Sequence, residues 1–178
     1  MKNKFHSGFT VLEFLIVVAI IVILIAIILP NLQLARERSL DEKRVTDLKT
    51  ISLGLEQFKQ ACGSYPSNVT PLTECMSNIS ITLGQYIPEI SQYNFTDSTN
   101  PGYIQYAPLA INATDSECVA FHLGIKLKNT TATGIFSVND ANIDSASSIS
   151  GYTYYPCSGG QGLTFDGNEI NTYDIFKQ

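Results

Sequence analysis

At 178 residues the chain has room for one domain and an anchor. Its 11 Lys and Arg against 16 Asp and Glu give a formal charge of −5, which argues against a broad basic surface for nucleic acid.

The first eight residues carry Lys2 and Lys4 and end at Gly8. Gly8-Phe9-Thr10-Val11-Leu12-Glu13 then leads into an apolar run, with no polar side chain from Phe14 to Pro30. As a helix, residues 9–30 would rise roughly 33 Å, enough to cross a hydrocarbon core of about 30 Å. Lys2 and Lys4 place the N-terminal end in the cytoplasm by the positive-inside rule, and the rest of the chain outside. Glu13 is costly in this setting: a charged residue at the centre of a membrane helix costs roughly 2.5–3.5 kcal/mol, and less near the interface. An acid there needs a partner, and a positive charge on a neighbouring copy is the simplest one. Pro30 removes one backbone hydrogen bond, so a kink or local melting is expected there. A cleavable signal peptide would show a small-x-small site after the core. Pro30-Asn31-Leu32-Gln33-Leu34-Ala35-Arg36 offers no clean one. A plain uncleaved anchor is the other competing reading.

The run GFTVLEFLIVVAIIVILIAIILPNLQLARE resembles the class III signal of type IV pilins and of the pseudopilins of type II secretion. The likeness continues more weakly through Gly63-Ser64-Tyr65-Pro66 and is diffuse beyond. The resemblance implies cleavage between Gly8 and Phe9 by a prepilin peptidase and N-methylation of the new terminus on Phe9. It makes Glu13 the family's acid and Pro30 its helix-loosening proline. It also implies a pilin-like α+β fold, a monomer stored in the inner membrane, extraction by an assembly platform, and copies of the chain as principal partner. The processed form would lack Lys2 and Lys4, leaving 9 basic against 16 acidic side chains, a formal −7.

Physical chemistry supports those roles without the name. Cutting at Gly8-Phe9 creates an α-amino group close to Glu13 of the same chain or of a docked neighbour. Desolvation offsets much of the attraction between the two charges, but losing one partner of such a buried pair costs about 3–5 kcal/mol. The pair therefore acts mainly as a register device.

Beyond the anchor, Arg36, Glu37, Arg38, Asp41, Glu42, Lys43 and Arg44 form a mixed-sign collar, read as a solvated helix face. Val45, Leu48, Ile51, Leu55, Phe58 and Cys62 then recur at helical spacing, predicting an amphipathic helix over 31–62. Gly54 is expected to mark close packing against a sheet. Gly63 and Pro66 stop the helix. Residues 65–99 are rich in Ser, Thr, Asn and Pro and read as a connection with a short helix near 83–87. Residues 103–107 read as a strand. Val119, Phe121, Leu123, Ile125 and Leu127 alternate with Ala120, His122, Gly124 and Lys126, the clearest period-2 signal in the chain. Residues 152–155 are a third strand. The expected organisation is a leader over 1–8, a membrane and filament-core helix over 9–30, an amphipathic helix over 31–62, and a globular domain with a three- or four-stranded antiparallel sheet over 63–178.

Cys62, Cys75, Cys118 and Cys157 all follow the apolar segment and read as two disulfides, with three connectivities open. Cys62–Cys75 with Cys118–Cys157 is the preferred one. Neither His is near a cysteine in sequence, which argues against zinc. Asp140, Asn142 and Asp144 imitate the opening of a calcium loop, but Ser145 replaces the turn glycine and Gly151 the closing acid. Asp166, Asn168 and Glu169 form a second oxygen-rich turn. The resemblance keeps these six as calcium candidates, because major pseudopilins bind calcium in a C-terminal loop; surface Asx turns are the competing reading. Otherwise no cofactor is expected. N-x-S/T triplets begin at Asn68, Asn78, Asn94, Asn112 and Asn129, as chance produces in a chain this rich in Asn, Ser and Thr. His122 falls on the polar face of the best strand and reads as a surface or satisfied histidine. Tyr152, Tyr154 and Tyr155 are expected in packing more than in an adhesive patch. With no G-x-S-x-G, H-E-x-x-H or P-loop, an enzyme is poorly supported. The expected function is a structural subunit of a type IV pilus-like filament. The alternatives are a type II secretion pseudopilin or an anchored extracytoplasmic binding domain that never polymerises.

Overall fold

The computed structural model describes residues 10–75, 80–128, 148–149, 152–157, 165, 167 and 171–178. One long helix, α1 (Val11–Cys62), precedes two 3₁₀ turns (Leu83–Gln85 and Ile90–Gln92). Strands β1 (Ile104–Ala110), β2 (Ala120–Lys126), β3 (Ser148–Ile149), β4 (Tyr152–Thr153), β5 (Tyr155–Pro156) and β6 (Thr172–Lys177) follow. The chain divides into two units, Met1–Arg38 and Ser39–Gln178. The fold class is α+β, with a pilin-like arrangement of one long helix and a small antiparallel sheet.

In the first unit, the Val, Leu, Ile and Phe side chains of α1 from Val11 to Leu34 are exposed. The helix runs unbroken across position 30. Next to it, the Asn31 side chain donates to the Ile27 carbonyl at 3.1 Å.

In the second unit the stripe on α1 does what its spacing requires. Leu48, Ile51 and Leu55 are fully buried, with Val45 and Phe58 beside them. They share one core with Leu83, Ile87, Ile90, Ile104, Leu123, Ile125 and Tyr173. Burying each aliphatic side chain contributes about 1.5–3 kcal/mol, so this seam dominates the unit's stability. The helix ends at Gly63, whose φ of 87° and N–H bond to the Lys59 carbonyl (2.7 Å) form a left-handed glycine cap.

The main sheet has the order β5-β1-β2-β6 and is antiparallel throughout. In register, Tyr106 faces Leu123, which in turn faces Ile175. β3 and β4 form a separate two-stranded pair. The region 152–155 is thus split between two sheets instead of forming one strand, and β6 adds an edge that sequence reading missed. β1 runs to Ala110, past the expected end at 107. It continues through Pro108, whose carbonyl accepts the Cys157 N–H at 3.1 Å. Disulfides join Cys62 to Cys75 and Cys118 to Cys157, with Cα separations of 5.5 and 5.7 Å.

Two packing expectations need correction. The alternation on β2 predicted one solvated face, yet Ala120, His122 and Gly124 are buried. A second apolar cluster covers them, built from Ala107, Leu109, Ala120, Tyr154 and Phe165, with Val119 and Phe176 at its edge. Gly124 permits this cover: a Cβ there would lie 2.5 Å from the Phe165 ring. Gly54 does mark close packing, but against Ile87 in the connecting region and not against the sheet.

At Gly54, alanine would gain about 1 kcal/mol of helix propensity. Its Cβ would sit 2.3 Å from Ile87 Cγ1 and 3.2 Å from the Tyr86 carbonyl oxygen. Overpacking of this kind costs about 1–3 kcal/mol, so the clash outweighs the propensity. Gly54→Ala is expected to destabilise by up to about 2 kcal/mol in chemical denaturation. Combined with Ile87→Ala, the total loss should be smaller than the sum of the two single losses.

Candidate functional site

The chemistry of the first unit is concentrated in its first helical turn. Thr10 caps α1, and its carbonyl accepts the Phe14 N–H at 3.2 Å. The Thr10 hydroxyl accepts the Glu13 N–H at 3.2 Å and donates to Glu13 Oε2 at 2.8 Å. The Thr10 N–H donates to the same Oε2 at 2.9 Å. This is a reciprocal capping box, in which threonine and glutamate three residues apart satisfy each other's exposed helix-start donors. The Thr-x-x-Glu signature was readable in Thr10-Val11-Leu12-Glu13 and was not used. The carboxylate also complements the positive end of the helix dipole.

Two features of this turn bear on function. Both bonds received by the carboxylate fall on Oε2, and no described residue bonds Oε1. Glu13 is also the only charge between Thr10 and Arg36. The helix around it is long and apolar enough to cross a membrane, and the span is not buried within the chain. An acid with one uncommitted oxygen on such a helix can accept a further donor from outside. Gly8 and Phe9, the proposed processing and methylation residues, lie outside the described residues, as do Asp140, Asn142, Asp144, Asp166, Asn168 and Glu169. Among the described residues, no cluster of three or more metal-ligating side chains occurs.

The collar is less solvated than its sequence implies. Asp41 is fully buried; its Oδ1 accepts the Lys128 N–H at 3.1 Å and is bonded by the Arg44 guanidinium. Arg36, Arg38, Glu42 and Lys43 remain exposed. His122 is also wholly buried, correcting its assignment to a polar strand face. Its Nε2 lies 2.7 Å from Asp174 Oδ2, and its ring stacks on Phe165 with centroids 3.9 Å apart. The pair holds β2 to β6 beneath the second cluster, a structural role. Nothing local marked Asp174 as its partner, 52 residues away.

Over 67 residues the chain is 33% identical to type II secretion system core protein G of Aeromonas hydrophila, covering 38% of this chain and 47% of that protein. It is 27% identical over 108 residues to the core protein G of Klebsiella michiganensis, covering 61% of this chain and 69% of that one. It is 40% identical over 72 residues to the type IV wide pilus major component PilA4 of Thermus thermophilus, covering 40% of this chain and 53% of that protein. The chain is thus similar to pseudopilins and to a type IV pilin, at modest identity. Its match spans about half the length of the Aeromonas and Thermus relatives. No family model and no solved structure matches the chain.

The Thr10–Glu13 box has a measurable consequence. Thr10→Val keeps the side chain's shape but removes both bonds made by the hydroxyl. Losing an N-cap costs about 0.5–2 kcal/mol of local helix stability. In detergent, Thr10→Val is expected to speed hydrogen exchange at the Glu13 amide several-fold, leaving Leu48 and Leu55 amides unchanged.

Proposed function

We propose that this chain is a structural subunit of a type IV pilus-like helical filament, with no catalytic chemistry of its own. The observation that carries the reading is Glu13. It is a lone acid in the first turn of an exposed apolar helix, with one oxygen satisfied by Thr10 and, among the described residues, the other without a bond. In this reading a prepilin peptidase cuts after Gly8, and Phe9 becomes a methylated terminus. The monomer waits in the inner membrane as a single-pass protein with its N-terminus cytoplasmic. An assembly platform then extracts it into an extracellular or periplasmic filament. The α-amino group of one subunit meets Glu13 of its neighbour and sets axial register, while the apolar helices exchange lipid for each other.

A pseudopilus of type II secretion is the second reading, favoured by the core protein G relatives. Calcium at Asp140, Asn142, Asp144, Asp166, Asn168 and Glu169 would belong with it and is supported by sequence alone. The globular domain over 63–178, carried outside the membrane, forms the filament surface in either case.

Two measurements test the assembly reading. Intact mass of protein from native membranes should correspond to a chain starting at methylated Phe9. A start beyond about Ala35, or an intact Met1, would overturn it. Glu13→Ala should insert into the membrane at normal levels yet reduce sheared filaments at least tenfold, the scale set by about 3–5 kcal/mol for an orphaned buried charge. An unchanged filament yield would instead support a non-polymerising anchored domain.

A further inference from the structure

One cleft of the second unit takes no part in the assembly reading. It has a volume of about 270 Å³ and forms where segments 67–70, 95–96 and 103–108 meet. That is room for roughly nine waters at about 30 Å³ each, or for one sugar ring.

Each wall is tied in place. The first follows Pro66, whose carbonyl accepts the buried Tyr106 hydroxyl at 2.6 Å. Burial holds the Tyr106 phenol well above its ordinary pKa, so the donor stays protonated. The second follows Asn94, whose carbonyl accepts the Ile104 N–H at 2.7 Å and whose side-chain oxygen accepts the Thr96 N–H at 3.2 Å. The third is β1 itself. A cleft ordered before its ligand arrives loses little entropy on binding.

The lining chemistry is distinctive because, among the described residues, no side chain in it is charged. Asn68 bonds the Val69 N–H through Oδ1 at 2.8 Å, which leaves its amide NH₂ to donate. Gln105, Ser67 and Tyr103 add an amide and two hydroxyls, and Phe95 and Tyr103 supply partly exposed rings. A charged ligand would shed hydration here with no countercharge to replace it. A purely aliphatic one would leave the amides unpaired. A pyranose fits both demands, with equatorial hydroxyls for the amides and an apolar C–H face for the rings.

We propose that this cleft binds one neutral hexose unit of a glycan, independently of filament assembly. The test is saturation-transfer NMR on the full chain in a non-glycosidic detergent. The probes are methyl glucoside, methyl galactoside, methyl mannoside and N-acetylglucosamine, with sialic acid and a neutral tetrapeptide as competitors. Transfer to the ring protons of at least one neutral sugar is expected. The pair Asn68→Ala and Gln105→Ala should weaken it about tenfold through two lost hydrogen bonds. Thr96→Lys, a charge at an exposed rim position, should abolish it, and circular dichroism reports whether each variant is folded. No transfer to any neutral sugar, equal transfer in folded variants, or displacement by sialic acid or the peptide would overturn the proposal.

Discussion

The constraint on which everything else rests is that the first part of α1 has no cover within its own chain. Its Val, Leu, Ile and Phe side chains from Val11 to Leu34 are exposed. Removing each Val, Leu or Ile from water is worth about 1.5–3 kcal/mol, so water is excluded as the environment of this surface. Lipid and the same helix on another copy are the two solvents that suit it. Either environment would suit the same sequence, since moving between them only exchanges one apolar neighbour for another. Direction must then come from a polar group, because apolar contacts between smooth aliphatic helices slide easily.

The same helix obeys a different rule from Val45 onward. There the apolar residues narrow to one stripe, and the opposite face keeps Leu53 as its one large exposed apolar residue. The seam is reinforced at its far end by Lys59, whose Nζ donates to the Val119 carbonyl at 3.1 Å and lies 4.4 Å from the Tyr65 ring centre. The disulfide from Cys62 and the glycine cap at Gly63 then fix where the helix hands over to the connecting loop. Uniform apolarity invites an external partner, whereas a stripe commits the helix to its own domain.

How much of this was legible follows from the range of each interaction. The stripe and the helix stop are local patterns, and they read correctly; the long apolar run is helical, as its pattern implies. The β2 alternation read correctly as a strand but misplaced its second face. Ala120, His122 and Gly124 have the small or polar side chains of a solvated surface, and the residues that cover them, Tyr154 and Phe165, come from distant sequence. β6 was missed because Asp174 stands in its centre, and a buried acid looks like a loop residue until its partner His122 is known. Asp41 was misread for the same reason, being indistinguishable in sequence from its charged neighbours in the collar. At the candidate site the acid itself was plain. The threonine that orients it was overlooked, because the capping signature competed with a stronger membrane signal.

These three acids, compared with one another, say where the chain is complete. Asp41 receives a backbone N–H and a guanidinium, and Asp174 is joined to His122; both are buried and both are answered from within the domain. A buried carboxylate left unanswered would cost several kcal/mol, so folding alone explains these pairings. Glu13 differs in kind. Thr10 bonds only Oε2, and the chain has no cation from Thr10 to Arg36 with which to finish the job. Folding accounts for the capping bonds to Thr10, and among the described residues Oε1 is left open to a further donor. A donor from outside the fold would find in that oxygen a single polar place to bind along an otherwise apolar surface.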